Sequence, residues 1–165
     1  MKTRFQRITP FLWFDDQAEE AANYYVSIFE NSRILSASRY GKEAAKVSGK
    51  PEDSVMTIAF ELDGEEFGAL NGGPLFTFNP ALSLVVHCKN QDEVDHFWNH
   101  LSKDGDPSAQ ACGWLKDRYG VSWQIVPKRL IELLSDPDRT RAGKAMQAML
   151  GMKKIDIAAL EKAAE

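Results

Sequence analysis

Cysteine is scarce in this chain. Cys88 and Cys112 are the only two, they lie far apart, and they form no CxxC pair. That excludes a disulfide framework and a thiolate zinc site, and points to a reducing, cytoplasmic setting with both as free thiols. Apolar runs are short. None reaches the length needed to cross a bilayer, and the basic stretch at 1–7 is not followed by an apolar signal segment, so no membrane anchoring is expected. Neither charge sign dominates: the net charge is −4, with acids and bases interspersed. Nucleic acid and anionic membranes are therefore not expected as partners. What is present in quantity is apolar side chain, 44% of 165 residues, enough for one ordinary domain with a real core.

Taken in order, residues 8–14 read as a strand with Pro10 at its start, and Asp15 or Asp16 as cap of a helix over 17–29. That helix has Ala21, Tyr24, Tyr25 and Ile28 on one face. A strand follows at 33–40, then a polar, mobile loop at 41–53 that serves as a lid or permits exchange between subunits. Residues 54–62 and 66–70 alternate as two strands joined by a turn at Asp63 and Gly64. The NGGP run at 71–74 breaks the pattern, and 75–80 is a phenylalanine-rich connector. Then come a strand at 81–88, a helix at 91–101 and a loop at 105–109. The run CGWLKDRYGVSWQIVP at 112–127 reads as two strands turned at Gly120 and stopped by Pro127. Its alternation puts Trp123 and Ile125 in the core and Ser122, Gln124 and Val126 on the opposite face. Helices are predicted from 129 to 134, from the cap at Asp136 with Pro137 in the first turn to Leu150, and after the cap Asp156, with Ile155 stapled onto Leu160. Ala142, Ala145, Met146, Met149 and Leu150 form an apolar stripe on the middle one.

The same order occurs twice. TPFLWF at 9–14 lies over SLVVHC at 83–88, EEAANYY at 19–25 over DEVDHFW at 92–98, and DGEEFG at 63–68 over YGVSWQ at 119–124. An internal repeat is a strong structural signal. It predicts an α+β fold of two βαβββ modules, about 5–73 and 80–127, in one domain with a C-terminal helical extension from about 128 to 165. Each module has one helix, so each sheet keeps one bare face, and two such faces side by side would make a cup.

This chain resembles the vicinal oxygen chelate superfamily, which includes glyoxalase I, bleomycin resistance proteins and extradiol dioxygenases. Within it, the chain is similar to the PhnB-like branch, whose members often carry the name 3-demethylubiquinone-9 3-methyltransferase. The residues that carry the likeness are PFLWF (10–14), FELDG (60–64), LNGG (70–73), FN (78–79), Gln110, CGWLKD (112–117), YGVSWQIVP (119–127) and KIDIAAL (154–160). The resemblance implies a glyoxalase-like fold with a cup-shaped mixed sheet, a homodimer, and a divalent metal in the cup. By the repeat, the metal-ligand places fall on Thr9 or its neighbour, Gly68, Ser83 and Gln124. Only Gln124 is an accepted ligand type, and one amide oxygen cannot hold the ion against water. No metal and no other cofactor are therefore expected. The methyltransferase name would call for a glycine-rich strand-to-helix turn, and the NGGP run opens no helix.

Two readings of function then stand. One is a non-catalytic module that binds a small, aromatic or hydrophobic molecule between aromatic walls. The other is an enzyme, either a methyltransferase or a metal-dependent lyase of the glyoxalase or dioxygenase type. Trp13, Phe11, Phe76, Phe78 and Trp114 are the candidate walls; Asn71, Asn79, Ser83, Gln110 and Gln124 are the candidate polar contacts. His87 shares a face with Ser83 and is a candidate base, and Cys112 a candidate nucleophile if a positive field lowers its pKa. His96 and His100, spaced i, i+4, fall on the solvent side of their helix, away from Val94, Phe97, Trp98 and Leu101.

Overall fold

The computed structural model describes residues 5–165. Its contacts divide the chain into two compact units, one ending at Thr77 and the other running from Phe78 to Glu165.

The first unit holds β1 (Phe11–Phe14), α1 (Ala18–Ile28), β2 (Arg33–Arg39), α2 (Lys42–Ser48), β3 (Val55–Leu62) and β4 (Glu65–Asn71). The sheet order is β1-β4-β3-β2, with β1 parallel to β4 and the other pairs antiparallel. In β3, Val55 is buried beside a register shift against β2, out of phase with the alternation that buries Ile58, Phe60 and Leu62. Their face meets Ala18, Ala21, Ala22, Tyr25 and Ile28 of α1, all buried. Asp63 and Gly64 both take positive φ between β3 and β4, as a tight hairpin turn requires.

Two expectations for this unit are corrected. The 41–53 stretch is not a plain loop: α2 occupies its middle, because Lys42, Glu43, Ala44, Ala45 and Lys46 are good helix formers and Gly49 closes the helix in left-handed backbone. Only Ala45 of α2 is buried, so no amphipathic stripe announces the helix. The cap of α1 is also different. Gln17 occupies the cap position without a side-chain bond, and the amide of Ala18 donates instead to Asn71 Oδ1 on β4, at 2.8 Å.

The second unit holds β5 (Leu84–Cys88), α3 (Gln91–Leu101), β6 (Trp114–Lys116), β7 (Ser122–Pro127), α4 (Lys128–Leu134), α5 (Arg139–Leu150) and α6 (Ile157–Ala164). Its sheet has the order β5-β7-β6, again with a parallel first pair. A fourth strand is replaced by a short 3₁₀ turn at Pro107–Ala109, flanked by hydrogen bonds from Asp106 N–H to Lys116 O and from Ala111 N–H to Trp114 O along the β6 edge. Val94, Trp98 and Leu101 of α3 are buried, as are Val86, Cys88, Leu115, Trp123 and Ile125 on the strands.

The repeat is visible in the strand registers. Phe14 pairs with Asn71 in the first sheet, and Cys88 with Pro127 in the second. The two modules solve the same helix-start problem differently. In the second, Asn90 caps α3 itself by accepting from Glu93 N–H, and the place of Asn71 is taken by Pro127.

The turn from β6 to β7 is built on one buried carboxylate. Asp117 Oδ1 accepts from the amides of Tyr119 and Val121 at 2.9 and 3.0 Å, and Oδ2 accepts from Trp123 Nε1 at 2.9 Å. Gly120, with φ 89°, donates its N–H to the Asp117 carbonyl.

The last three helices close around Leu130, Leu133, Ala145, Ile155, Leu160 and Ala164. Asp156 caps α6 through Ala159 N–H, and Ile155 and Leu160 are both fully buried, so the predicted staple is in place. Asp138, not Asp136, caps α5, and Pro137 precedes the cap rather than opening the helix. The apolar stripe is also narrower than expected: Ala145 is buried and Met149 partly so, but Met146 and Leu150 are exposed.

Candidate functional site

In each sheet the side chains that turn away from the module's helix share one open face. In the first unit, strand pairing sets them in rows: Phe11, Gly68, Ala59 and Ser36 form one, and Trp13, Leu70, Thr57 and Ser38 the next. Phe11 is 57% exposed and Phe76 58% exposed. Trp13 is half-buried, donates from Nε1 to the Gly73 carbonyl at 2.9 Å, and meets Phe76 edge-on with centroids 5.0 Å apart. Phe11, Trp13 and Phe76, three of the predicted walls, therefore lie in one unit. The hydroxyls of Ser38 and Thr57, 2.5 Å apart, are two polar groups on this face that the sequence reading did not single out. The only signal for them is their phase in strands already recognised.

Asn71, expected among the polar contacts, is spent inside the fold. It is buried on the helix side; its side-chain N–H₂ donates to Val55 O, and its backbone carbonyl accepts from Tyr40 Oη.

In the second unit, Val85, Gln124 and Trp114 form a row across β5, β7 and β6, with His87 beside Val126 in the next. Gln124 is half-buried and donates from Nε2 to Ser83 Oγ at 2.9 Å. His87 is exposed on this face. Phe78 is half-buried, and a Cβ added at Gly120 would stand 4.0 Å from its side chain. Asn79 is exposed and accepts from Ala81 N–H in a local turn, and Gln110 is half-buried just after the 3₁₀ turn.

Cys112 stands before β6 in left-handed backbone, φ 52°, its N–H bonded to the Met152 carbonyl. It is thus positioned by the approach to α6, whereas His87 is positioned by β5. Cys88 is fully buried, and burial first, then the nearby Glu93 carboxylate, pushes its thiol up to about 12. Ellman's reagent at pH 8 is expected to titrate the half-buried Cys112 in the native protein and Cys88 only on unfolding; Cys112→Ala should remove the native phase. A fast phase that survives Cys112→Ala would contradict this placement.

The registers also test the superfamily metal. Phe11 opposite Gly68 is the counterpart of Val85 opposite Gln124, so Gly68 and Gln124 are equivalent places. At Gly68 there is no donor, and the Phe11 ring stands where a side chain would be. Gln124 and Ser83 are hydrogen-bonded to each other. Among the described residues no three His, Cys, Asp or Glu side chains cluster so as to hold an ion. The donor set at these places does not fit a divalent cation. The strand-to-helix turns, Asp15-Asp16-Gln17 and Lys89-Asn90, contain no glycine to cradle a nucleotide-type cofactor. No helix among the described residues is long and apolar enough to cross a membrane.

Two parallel-and-antiparallel sheets of βαβββ-like modules, each with a helix on one face, followed by C-terminal helices, define an α+β protein of the glyoxalase-like fold. The chain belongs to the 3-demethylubiquinone-9 3-methyltransferase family, PhnB-like, whose family model matches residues 6–126. It is similar to the PhnB protein from Bacillus cereus, with 39% identity over 74% of this chain and 99% of that one, and a TM-score of 0.64. A protein from Pseudomonas aeruginosa shares the fold at 20% identity, 74% and 98% coverage and a TM-score of 0.57. So does the fosfomycin resistance protein FosX from Listeria monocytogenes, at 13% identity, 81% and 99% coverage and a TM-score of 0.53. No curated protein matches the chain.

Proposed function

We propose that this protein binds a small aromatic or hydrophobic molecule against the open faces of its sheets, and that it does so without a metal at the superfamily's usual place. The observation that carries this reading is the group of Phe11, Trp13 and Phe76, solvent-accessible on a sheet face that α1 does not cover. Large apolar surfaces with a few directed polar groups are what small-molecule recognition needs. Ser38 and Thr57 supply such groups in the first unit, and Ser83, Gln124 and His87 in the second. The family's own description favours a second reading, methyl transfer to a demethylated quinone, in which the same aromatic faces hold the acceptor ring.

A thermal-shift panel separates these readings. Aromatic ligands at about a hundred times Kd are expected to raise Tm by roughly 5–10 °C, and Trp13→Ala to abolish the shift. Stabilisation by S-adenosylmethionine instead would favour the methyltransferase. A divalent ion whose stabilisation disappears in Gln124→Ala would overturn the metal-free reading.

A further inference from the structure

Glycine inside a strand loses packing and chain entropy, so it needs a reason. Left-handed backbone is the usual one, and it accounts for Gly64, Gly73 and Gly120. Gly68, within β4, and Gly72, just beyond it, are not in that region. Their reason lies above them. A Cβ on Gly68 would stand 2.4 Å from both Cδ2 and Cε2 of Phe11. A Cβ on Gly72 would stand 2.2, 2.3 and 2.6 Å from Cζ2, Cε2 and Cη2 of Trp13, three consecutive atoms of its six-membered ring. Three such short distances to consecutive atoms place that point over the face of the indole, whereas the Phe11 ring, with Cγ at 3.3 Å, covers Gly68 with its Cδ2–Cε2 side. The indole is therefore laid face-down on Gly72, and Phe11 lies over Gly68 by one side of its ring, with Leu70 between the two glycines along the chain. The seat of the indole is fixed further by its bond to Gly73 O.

We infer that Gly68 and Gly72 are specificity-determining residues, and that the molecule taken by the first unit is a planar aromatic that stacks on these seated rings. This rests on the binding reading above and narrows it: an aliphatic molecule of the same size is discriminated against. Phe11 is exposed and Trp13 partly so, and an accessible π face attracts another π system beyond what buried area alone supplies. With a Cβ at position 72 the indole must lift and tilt, because the backbone beneath it is held by bonds from the Gly72 and Gly73 amides to the Phe14 and Asp15 carbonyls. Phe76 stands nearly perpendicular to Trp13, with ring centroids 5.0 Å apart.

Isothermal titration calorimetry with 2-naphthol and its saturated counterpart decahydro-2-naphthol tests this on the full chain. The wild type is expected to bind the naphthol roughly tenfold more tightly than the saturated alcohol, the discrimination that two stacking contacts supply. Gly72→Ala and Trp13→Leu are expected to bring that ratio close to one while the saturated alcohol still binds. Should Gly72→Ala fail to fold by near-ultraviolet circular dichroism, Trp13→Leu, which keeps apolar bulk without a π face, decides alone. Equal affinities for the two alcohols in the wild type would overturn the stacking inference and leave the binding reading intact. Binding of neither would overturn both.

Discussion

Asp117→Ala is expected to lower the unfolding free energy by about 3–5 kcal/mol, the largest effect of any single polar truncation proposed for this chain. Three donors converge on this one carboxylate: two turn amides and the Trp123 indole. Hydrogen bonds to a charged acceptor are each worth about 1.5–3 kcal/mol, and alanine leaves buried donors with nothing to bond. The turn they hold sets the register of β6 against β7, and with it the row of Trp114, Gln124 and Val85. Asp117→Asn should recover only part of the loss. Its amide oxygen can serve the turn amides, but its N–H₂ then faces the indole N–H, donor against donor. Urea unfolding reads both variants, with a fall in midpoint of roughly 1–3 M for alanine. A shift below a few tenths of a molar would show that the carboxylate does not hold this turn.

Asn71→Ala comes second, at about 2–4 kcal/mol. It removes the acceptor at the start of α1, which carries no side-chain cap of its own, and the donor to Val55 O. Loss of a helix cap costs about 0.5–2 kcal/mol, and loss of a buried hydrogen bond adds about 1–3. Asn71→Asp keeps the acceptor for Ala18 N–H but turns an oxygen toward the Val55 carbonyl, so it is expected to fall between alanine and wild type. Hydrogen exchange of the first-turn amides of α1 distinguishes the cause: they should exchange faster in Asn71→Ala than in Asn71→Asp. Equal exchange in the two would mean that β4 does not cap this helix.

The two modules differ at this point for a reason that sequence spacing cannot reveal. Asn90 stands immediately before α3 and is read as a cap at sight, whereas Asn71 reaches α1 from a strand 53 positions away. Local spacing therefore points to Asp15 or Asp16, the right residue type in the wrong place. A similar limit applied to α2. Its burial is confined to Ala45, so periodicity carried no signal and only helix propensity remained. Sequence marks each aromatic residue singly, but not that Phe11 and Trp13 rest on Gly68 and Gly72.

Local chemistry in the chain was enough to decide the repeat, the buried faces of β3, β7 and α3, the turns at Asp63–Gly64 and Gly120, and the cap and staple at Asp156, Ile155 and Leu160. Each of these depends on residues within a few positions of one another, where backbone geometry alone dictates who can touch whom. Tertiary structure alone decided who caps α1, which carboxylate holds the last turn together with its indole, and why two glycines in ordinary backbone sit beneath aromatic rings. Those contacts join segments that only strand pairing brings side by side, and pairing depends on the whole sheet rather than on any window of sequence.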